Sequence, residues 1–234
     1  MMASLHKCAA TLKKSSTPPR RVRIVCISDT HEWHRELAVP DGDLLIHAGD
    51  FTFWNHASKI RDFNLWLGEL PHRYKVIIPG NHDRVFNQNP RNRTLITNAV
   101  LLINESVRLC GLNIWGSPVT CDDAAYGYTR REDRARLNAS IPRDTHILIT
   151  HGPPYGILDR EPSSYRRQGC TELRAAVIQL QPRLHVFEHV HGGYGTFQNE
   201  TTLFVNAALL GPAGDLENLP ISSWISVGGD SCGP

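Results

Sequence analysis

No stretch of the 234-residue sequence stays apolar long enough to cross a bilayer, which takes about 20 residues as a helix. No segment recurs at a fixed period, so solenoids and propellers are set aside. No glycine-rich run opens a helix in the P-loop manner, and Gly80, Gly152 and Gly195 read as turn glycines. The cysteines, at 8, 26, 110, 121, 170 and 232, form no Cys-x-x-Cys pair or other zinc spacing, and Cys26 falls inside an apolar run. Reduced intracellular thiols are the simpler expectation, which makes the sequons at Asn92, Asn104, Asn138 and Asn199 coincidental. Residues 1–21 lack any acidic side chain while carrying Lys7, Lys13, Lys14, Arg20 and Arg21. They are expected to form a disordered basic tail, in preference to the mitochondrial presequence whose composition they partly share, so the expected location is cytoplasmic. Large net charge is missing too: at +2, the chain calls for neither a nucleic-acid polymer nor a membrane as partner.

What remains is an ordinary globular composition, 41% hydrophobic and 21% charged, with an unusual 12 histidines. The length suits a single domain over residues 22–234. Apolar runs of strand length occur at 22–28, 43–48, 75–78, 100–103, 146–150, 184–188 and 202–206. Between them, Ile60, Phe63, Leu67 and Leu70 recur at helical spacing over 57–70, and 130–138 and 171–181 read as two further helices, the last stopped by Pro182. Residues 106–115, with Gly111 between two apolar stretches, read as a hairpin where the βα alternation lapses. Two βα halves joined by a hairpin predict an α/β fold of two sheets with helices outside.

The ends of these strands carry the chemistry. They run into Asp29-Thr30-His31, Gly49-Asp50, Asn81-His82-Asp83, His151-Gly152 and His189-Val190-His191. None of these polar groups suits a core, and in open α/β sheets the strand C-terminal ends line one edge where ligands bind. Residues two apart in extended chain point the same way, roughly 6 to 7 Å apart, so Asp29 with His31 and His189 with His191 make two forks for neighbouring metal ions. Asp50 is the natural carboxylate to bridge them, since ions in two-metal sites lie about 3.5–4 Å apart. A set of Asp, Asn and His without thiolate suits manganese, iron or zinc rather than calcium or a structural zinc.

These motifs, in this order and with Gly80-Asn81-His82-Asp83 and Thr150-His151-Gly152 among them, resemble the calcineurin-like metallophosphoesterase superfamily across about residues 22–208. His47-Ala48-Gly49-Asp50-Phe51-Thr52, Thr150-His151-Gly152-Pro153-Pro154 and His191-x-Gly193-Tyr194-Gly195 are closer still to its metallophosphoesterase-domain-containing branch of class III phosphodiesterases. The resemblance implies a four-layered α/β/β/α sandwich and a binuclear centre. Asp29, His31, Asp50 and His191 would hold one divalent ion, and Asp50, Asn81, His151 and His189 the other, with manganese favoured over iron or zinc. It further implies attack on phosphorus by a hydroxide bridging the ions, with His82 as general acid, on a small phosphodiester such as a cyclic nucleotide. One position departs from the pattern: Glu188 stands where the family usually has glycine. If that position needs positive φ, glutamate costs on the order of 1 kcal/mol. Its carboxylate would hydrogen-bond a ligand or act as a brake by adding negative charge near the metals.

Several residues keep two readings. Asp83 orients His82, caps a helix or pairs with Arg84, and Arg84 reaches a phosphate oxygen or is simply solvated. Trp33, Phe53, Trp54 and Tyr155 form an aromatic wall for a nucleobase or pack loops. His47, His146 and His185 lie inside strands as packing or supporting residues, and His6, His34, His56 and His72 read as tail, surface or loop. Two other functions remain in competition. One is a phosphomonoesterase or protein phosphatase on the same site; the resemblance implies that the superfamily's phosphoprotein phosphatases carry an arginine soon after Gly-Asp, where this chain has Phe51-Thr52-Phe53-Trp54, which argues against tight binding of a monoester dianion. A weakly active or non-catalytic scaffold of the same fold would be expected to have lost ligands or the acid, and this chain keeps both.

Overall fold

Among the described residues, most parallel strands are short aliphatic runs, and those at the centre of each sheet are buried along their whole length, which is what a sheet covered by helices requires. The computed structural model describes residues 20–53, 56–121, 126, 130–161 and 166–228. The first sheet orders its strands β11-β1-β2-β3-β4, from β1 (Arg20–Ile27), β2 (Leu44–His47), β3 (Tyr74–Ile77), β4 (Val100–Leu101) and β11 (Ile221–Val227). The second runs β5-β6-β7-β8-β10-β9, from β5 (Glu105–Leu109), β6 (Leu112–Ser117), β7 (Ile147–Thr150), β8 (Leu184–Phe187), β9 (Gly195–Gln198) and β10 (Leu203–Asn206). β1 to β4 pair in parallel, as do β6, β7, β8 and β10, while β11, β5 and β9 join antiparallel at the edges. The parallel strands of each sheet therefore finish at one edge.

Alternation along the strands sorts side chains into three apolar layers. Val22, Ile24 and Cys26 of β1 face Ile147, Ile149 and Val186 between the sheets. Val25 and Ile27 point the other way, onto Ile60, Phe63 and Leu67 of α1 (Ala57–Glu69). On the far side, Leu148, Phe187 and Phe204 meet Leu173 and Val177 of α4 (Thr171–Leu180). The order is helices, sheet, sheet, helices, the expected α/β/β/α sandwich. α2 (Val85–Gln88) and α3 (Arg131–Ala139) complete the helices. Phe63 stacks on Phe51, just after β2, with ring centroids 4.4 Å apart. Removing the Phe63 ring would cost about 3–5 kcal/mol and loosen the loop that carries Asp50.

Four sequence expectations change. β1 begins at Arg20, inside the stretch assigned to the tail, because Arg20 and Arg21 pair with Val227 and Ser226 and Arg21 stacks on Trp224 at 5.2 Å; residues 1–19 lie outside the described residues. β9 and β11 went unpredicted, since edge strands half open to solvent lack a continuous apolar run. β8 ends at Phe187, leaving Glu188 beyond the strand. His34 and His72 are buried rather than superficial, His34 with Nε2 3.0 Å from Asp62. No described helix is long and apolar enough to cross a membrane.

Candidate metal centre

The strand ends converge as expected, but through left-handed backbone rather than extended chain. Asp29 (φ 50°), His31 (φ 36°), Glu32 (φ 72°), Asp50 (φ 56°) and His189 (φ 73°) all adopt positive φ. The forks are therefore made by tight turns and not by strand alternation. Such backbone costs on the order of 1–3 kcal/mol per residue and persists where the surroundings over-determine it, typically at functional sites. The turns are pinned by parallel-sheet carbonyls: the amides of Asp29 and His31 donate to Gly49 and Asp50 at 3.0 Å. Two glycines permit the approach of the two sheets. A Cβ on Gly80 would strike Asp50 Oδ1 and His151, and one on Gly49 (φ 118°) would lie 2.7 Å from His151 Nδ1.

Asp29 Oδ1 sits 3.0 Å from both His31 Nε2 and His191 Nε2. On the other side, His151 Nε2 lies 2.7 Å from Asn81 Oδ1, which lies 3.2 Å from His189 Nδ1. Asp50 joins the two groups, its Oδ2 3.8 Å from His31 Nε2 and 3.6 Å from His151 Nε2. The structure thus brings together Asp29, His31, Asp50, Asn81, His151, His189 and His191, with Asp50 at the junction.

The donor set fits divalent ions. Asp29 with His31 and His191, and Asp50 with His151, offer atoms within 4.8 Å of one another. Asp29 Oδ2 is buried with no hydrogen-bond partner, an orphan that a cation would satisfy. The opposite ring nitrogens are held from behind by carbonyls, as metal-binding imidazoles generally are: His31 by Thr52 (3.2 Å), His191 by Gly211 (3.2 Å) and His151 by Ala48 (3.4 Å). Burial keeps His151 neutral, pushing it down to about 4, the form a ligand needs. Burial also works against charge on Asp29 and His191, but the neighbouring Glu188 carboxyl, with His191 and His31, holds Asp29 well below the usual carboxylate range, and the Asp29 contact holds His191 up to about 9.

The loop at 80–84 resolves into separate tasks. Asp83 is fully buried and accepts from the amides of Gly80 (2.8 Å), Thr52 (2.9 Å) and Phe51 (3.3 Å) and from Thr52 Oγ1 (2.7 Å). It clips the β3 loop to the β2 loop and neither orients His82 nor caps α2. Burial and the Asp50 charge push Asp83 up to about 7 despite those donors. Arg84 donates Nε to the Asn81 carbonyl at 2.9 Å, bracing the same loop. His82 donates its amide to Asp50 Oδ1 at 2.8 Å, and its half-exposed ring stands edge-on to His31, centroids 4.8 Å apart. It also comes within 4.8 Å of ligand atoms on His31 and Asp50, closer than a purely remote acid would need.

Glu188 has ordinary negative φ; the strained residue is its neighbour His189, so the expected backbone cost at 188 does not arise. Its carboxyl is fully buried, with Oε1 2.6 Å from His151 Nδ1, close but poorly aligned for a hydrogen bond, and Oε2 accepting from the His189 amide. Burial and the charge of Asp29 raise its pKa well above the usual range. Two of the strand histidines, expected as packing or supporting residues, form a matched pair beneath the site. His47 Nε2 lies 3.1 Å from Thr30 Oγ1, and His185 Nε2 lies 2.8 Å from Thr150 Oγ1, one pair in each sheet. Their signal was a histidine inside an apolar strand, with a threonine at or just beyond the end of the neighbouring strand. Above the cluster opens a cavity of about 210 Å³ lined by His31, Asp50, Phe53, Asn81, His82, His189, His191, Leu210 and Gly214. Phe53 packs against His31 and His82 at 4.9 and 5.7 Å. Trp33 and Tyr155 are exposed elsewhere, Tyr155 under Arg167, and Trp54 lies outside the described residues.

A family model described as calcineurin-like phosphoesterase matches residues 22–193. The chain is 40% identical over 219 residues to metallophosphoesterase domain-containing protein 1 of Homo sapiens, spanning 82% of this chain and 67% of that one. It is 36% identical over 220 residues to a UPF0046 protein of Caenorhabditis elegans, spanning 87% and 75%. Among solved structures, the protein TT1561 of Thermus thermophilus shares the fold with a TM-score of 0.56 at 15% identity, over 80% of this chain and 89% of that one.

Proposed function

This chain belongs to the calcineurin-like phosphoesterase family, whose members are metal-dependent phosphoester hydrolases, and we propose that it hydrolyses a small phosphodiester with His82 as general acid. The observation that carries the diester reading is the cavity wall: among its described residues there is no arginine or lysine. A monoester dianion gains most from a guanidinium fork, whereas a diester carries a single negative charge and a second ester arm that needs an apolar surface. Phe53 and Leu210 supply that surface, and the Phe53 ring, 42% exposed, offers a face for an aromatic or nucleobase arm.

Two divalent ions, manganese favoured for this donor set, would be held by Asp29, His31, Asp50 and His191 and by Asp50, Asn81, His151 and His189; when bound they neutralise phosphoryl charge and acidify water. The chain's own residues do the rest. Asp50 Oδ2 faces both groups, so a single carboxylate fixes their separation. The Phe53 carbonyl lies 3.4 Å from His82 Nδ1 and holds one ring proton there, leaving Nε2 to carry the proton given to the leaving oxygen as the P–O bond breaks. A cytoplasmic setting is part of the same proposal, supported by Cys26, Cys110, Cys121 and Cys170 forming no disulfide.

Matched aryl phosphodiesters and phosphomonoesters, assayed with manganese, test the reading. A higher kcat/KM for the diesters is expected; a preference for the monoesters would transfer the site to the phosphomonoesterase class.

A further inference from the structure

Cys170 is the residue before α4, and its sulfur accepts the Leu173 amide at 3.4 Å, a position where helix-terminal amides favour thiolate over thiol. Cys121, in the segment after β6, gives its thiol to the Gln168 carbonyl at 3.2 Å and also hydrogen-bonds the Cys170 sulfur. The two sulfurs thus meet although 49 positions separate them, and they line one small cavity together with Gly152, Pro153 and His189. The contact with Cys121 lowers the Cys170 pKa in spite of burial and of Glu172, whose carboxylate accepts the Cys170 thiol proton at 3.3 Å and is the group to which that proton passes when the thiolate forms. The other described thiols differ: Cys26 is sealed in β1 and pushed up to about 12 by burial, and Cys110 is buried at the β5–β6 turn.

We infer that Cys121 and Cys170 are a peroxide-sensitive dithiol that closes to a disulfide within the folded protein. The Cys170 thiolate attacks a peroxide oxygen, breaking the O–O bond to give a sulfenic acid and, after protonation, water. The Cys121 sulfur then attacks the Cys170 sulfur, and the sulfenic hydroxyl leaves with a proton as a second water, so two thiols and one peroxide give one disulfide and two waters. The bond would tie the segment after β6 to the start of α4. Cys170 is also fastened to the strand-end segment after His151, its amide donating to Pro153 at 2.9 Å and its carbonyl accepting from Tyr155 at 3.0 Å. The tether would therefore act on the chain that carries His151.

The test uses the full chain, treated with hydrogen peroxide, alkylated under denaturing conditions and digested without reductant. The expected product is a crosslinked pair of peptides holding Cys121 and Cys170, lighter by two hydrogens and separated by reductant, with Cys26 and Cys110 recovered alkylated. Cys121→Ser should leave Cys170 trapped as a sulfenic acid by dimedone, and Cys170→Ser should abolish both products. Recovery of Cys121 and Cys170 as alkylated thiols after peroxide would overturn the inference. So would a disulfide joining either one to Cys8 or Cys232 instead. Because mass alone is read, the outcome does not depend on which phosphoester the protein cleaves.

Discussion

Glu188 Oε1 lies 2.6 Å from His151 Nδ1, with both side chains fully buried, while the other nitrogen of that ring faces Asn81 and Asp50. A carboxyl behind a candidate ligand is how many metal-binding imidazoles are oriented. Glu188 therefore has two competing roles, a brake on the site or a support behind His151 that also holds the His189 amide. If it is a support, replacing it with glycine should weaken metal binding by about 10–100-fold. A metal titration followed by calorimetry reads this directly, and unchanged or tighter binding would favour the brake.

Asp83 gathers four donors from two loops while fully buried. Asp83→Ala strands those donors and should lose about 2–4 kcal/mol in urea unfolding, at the upper end of what unsatisfied buried groups cost. Asp83→Asn should lose clearly less, since with its pKa near 7 the native carboxyl already tolerates neutrality and an amide oxygen can still accept. Equal losses from the two would mean that volume, not hydrogen bonding, decides this position.

Burial pushes His47 and His185 down to about 3, from about 6.5 in an unfolded chain. A folded value below the unfolded one means that the unfolded chain takes up the extra proton. The stability these neutral rings provide is complete above pH 6.5 and is lost as pH falls toward 3, at about 1.4 kcal/mol per pH unit for each. With metal removed by chelator, His185→Gln should flatten the stability profile between pH 6.5 and 4 by that amount. An unaltered slope would show that His185 does not stay neutral on folding.

The fold was legible because both sheets are built of parallel strands buried on two faces, whose apolar runs announce themselves. β9 and β11 were not, because edge strands such as Ile221–Val227 alternate with exposed residues, Trp224 among them, and owe their pairing to distant partners in β1. At the site, residue types at strand ends pointed to the cluster, but not to its backbone. Asp29, His31, Asp50 and His189 meet through positive φ, a conformation that propensity disfavours and only the packed whole enforces. The roles of Asp83 and Glu188 were equally hidden, since each depends on which loop or ring the folded chain places against it.

His82 is proposed to give a proton to the leaving oxygen, and its ring also has a ligand atom within 4.8 Å of those of His31 and Asp50. The most direct measurement is the dependence of kcat on leaving-group pKa for a series of aryl phosphodiesters, in the native protein and in His82→Ala, with metal content determined for both. As the general acid, His82 can be removed with metal content unchanged, hydrolysis of poor leaving groups falling by about 10²–10⁴ and that of the most acidic phenols changing little. A loss of bound metal, or an equal fall for every leaving group, would contradict that role and make His82 a ligand rather than the acid.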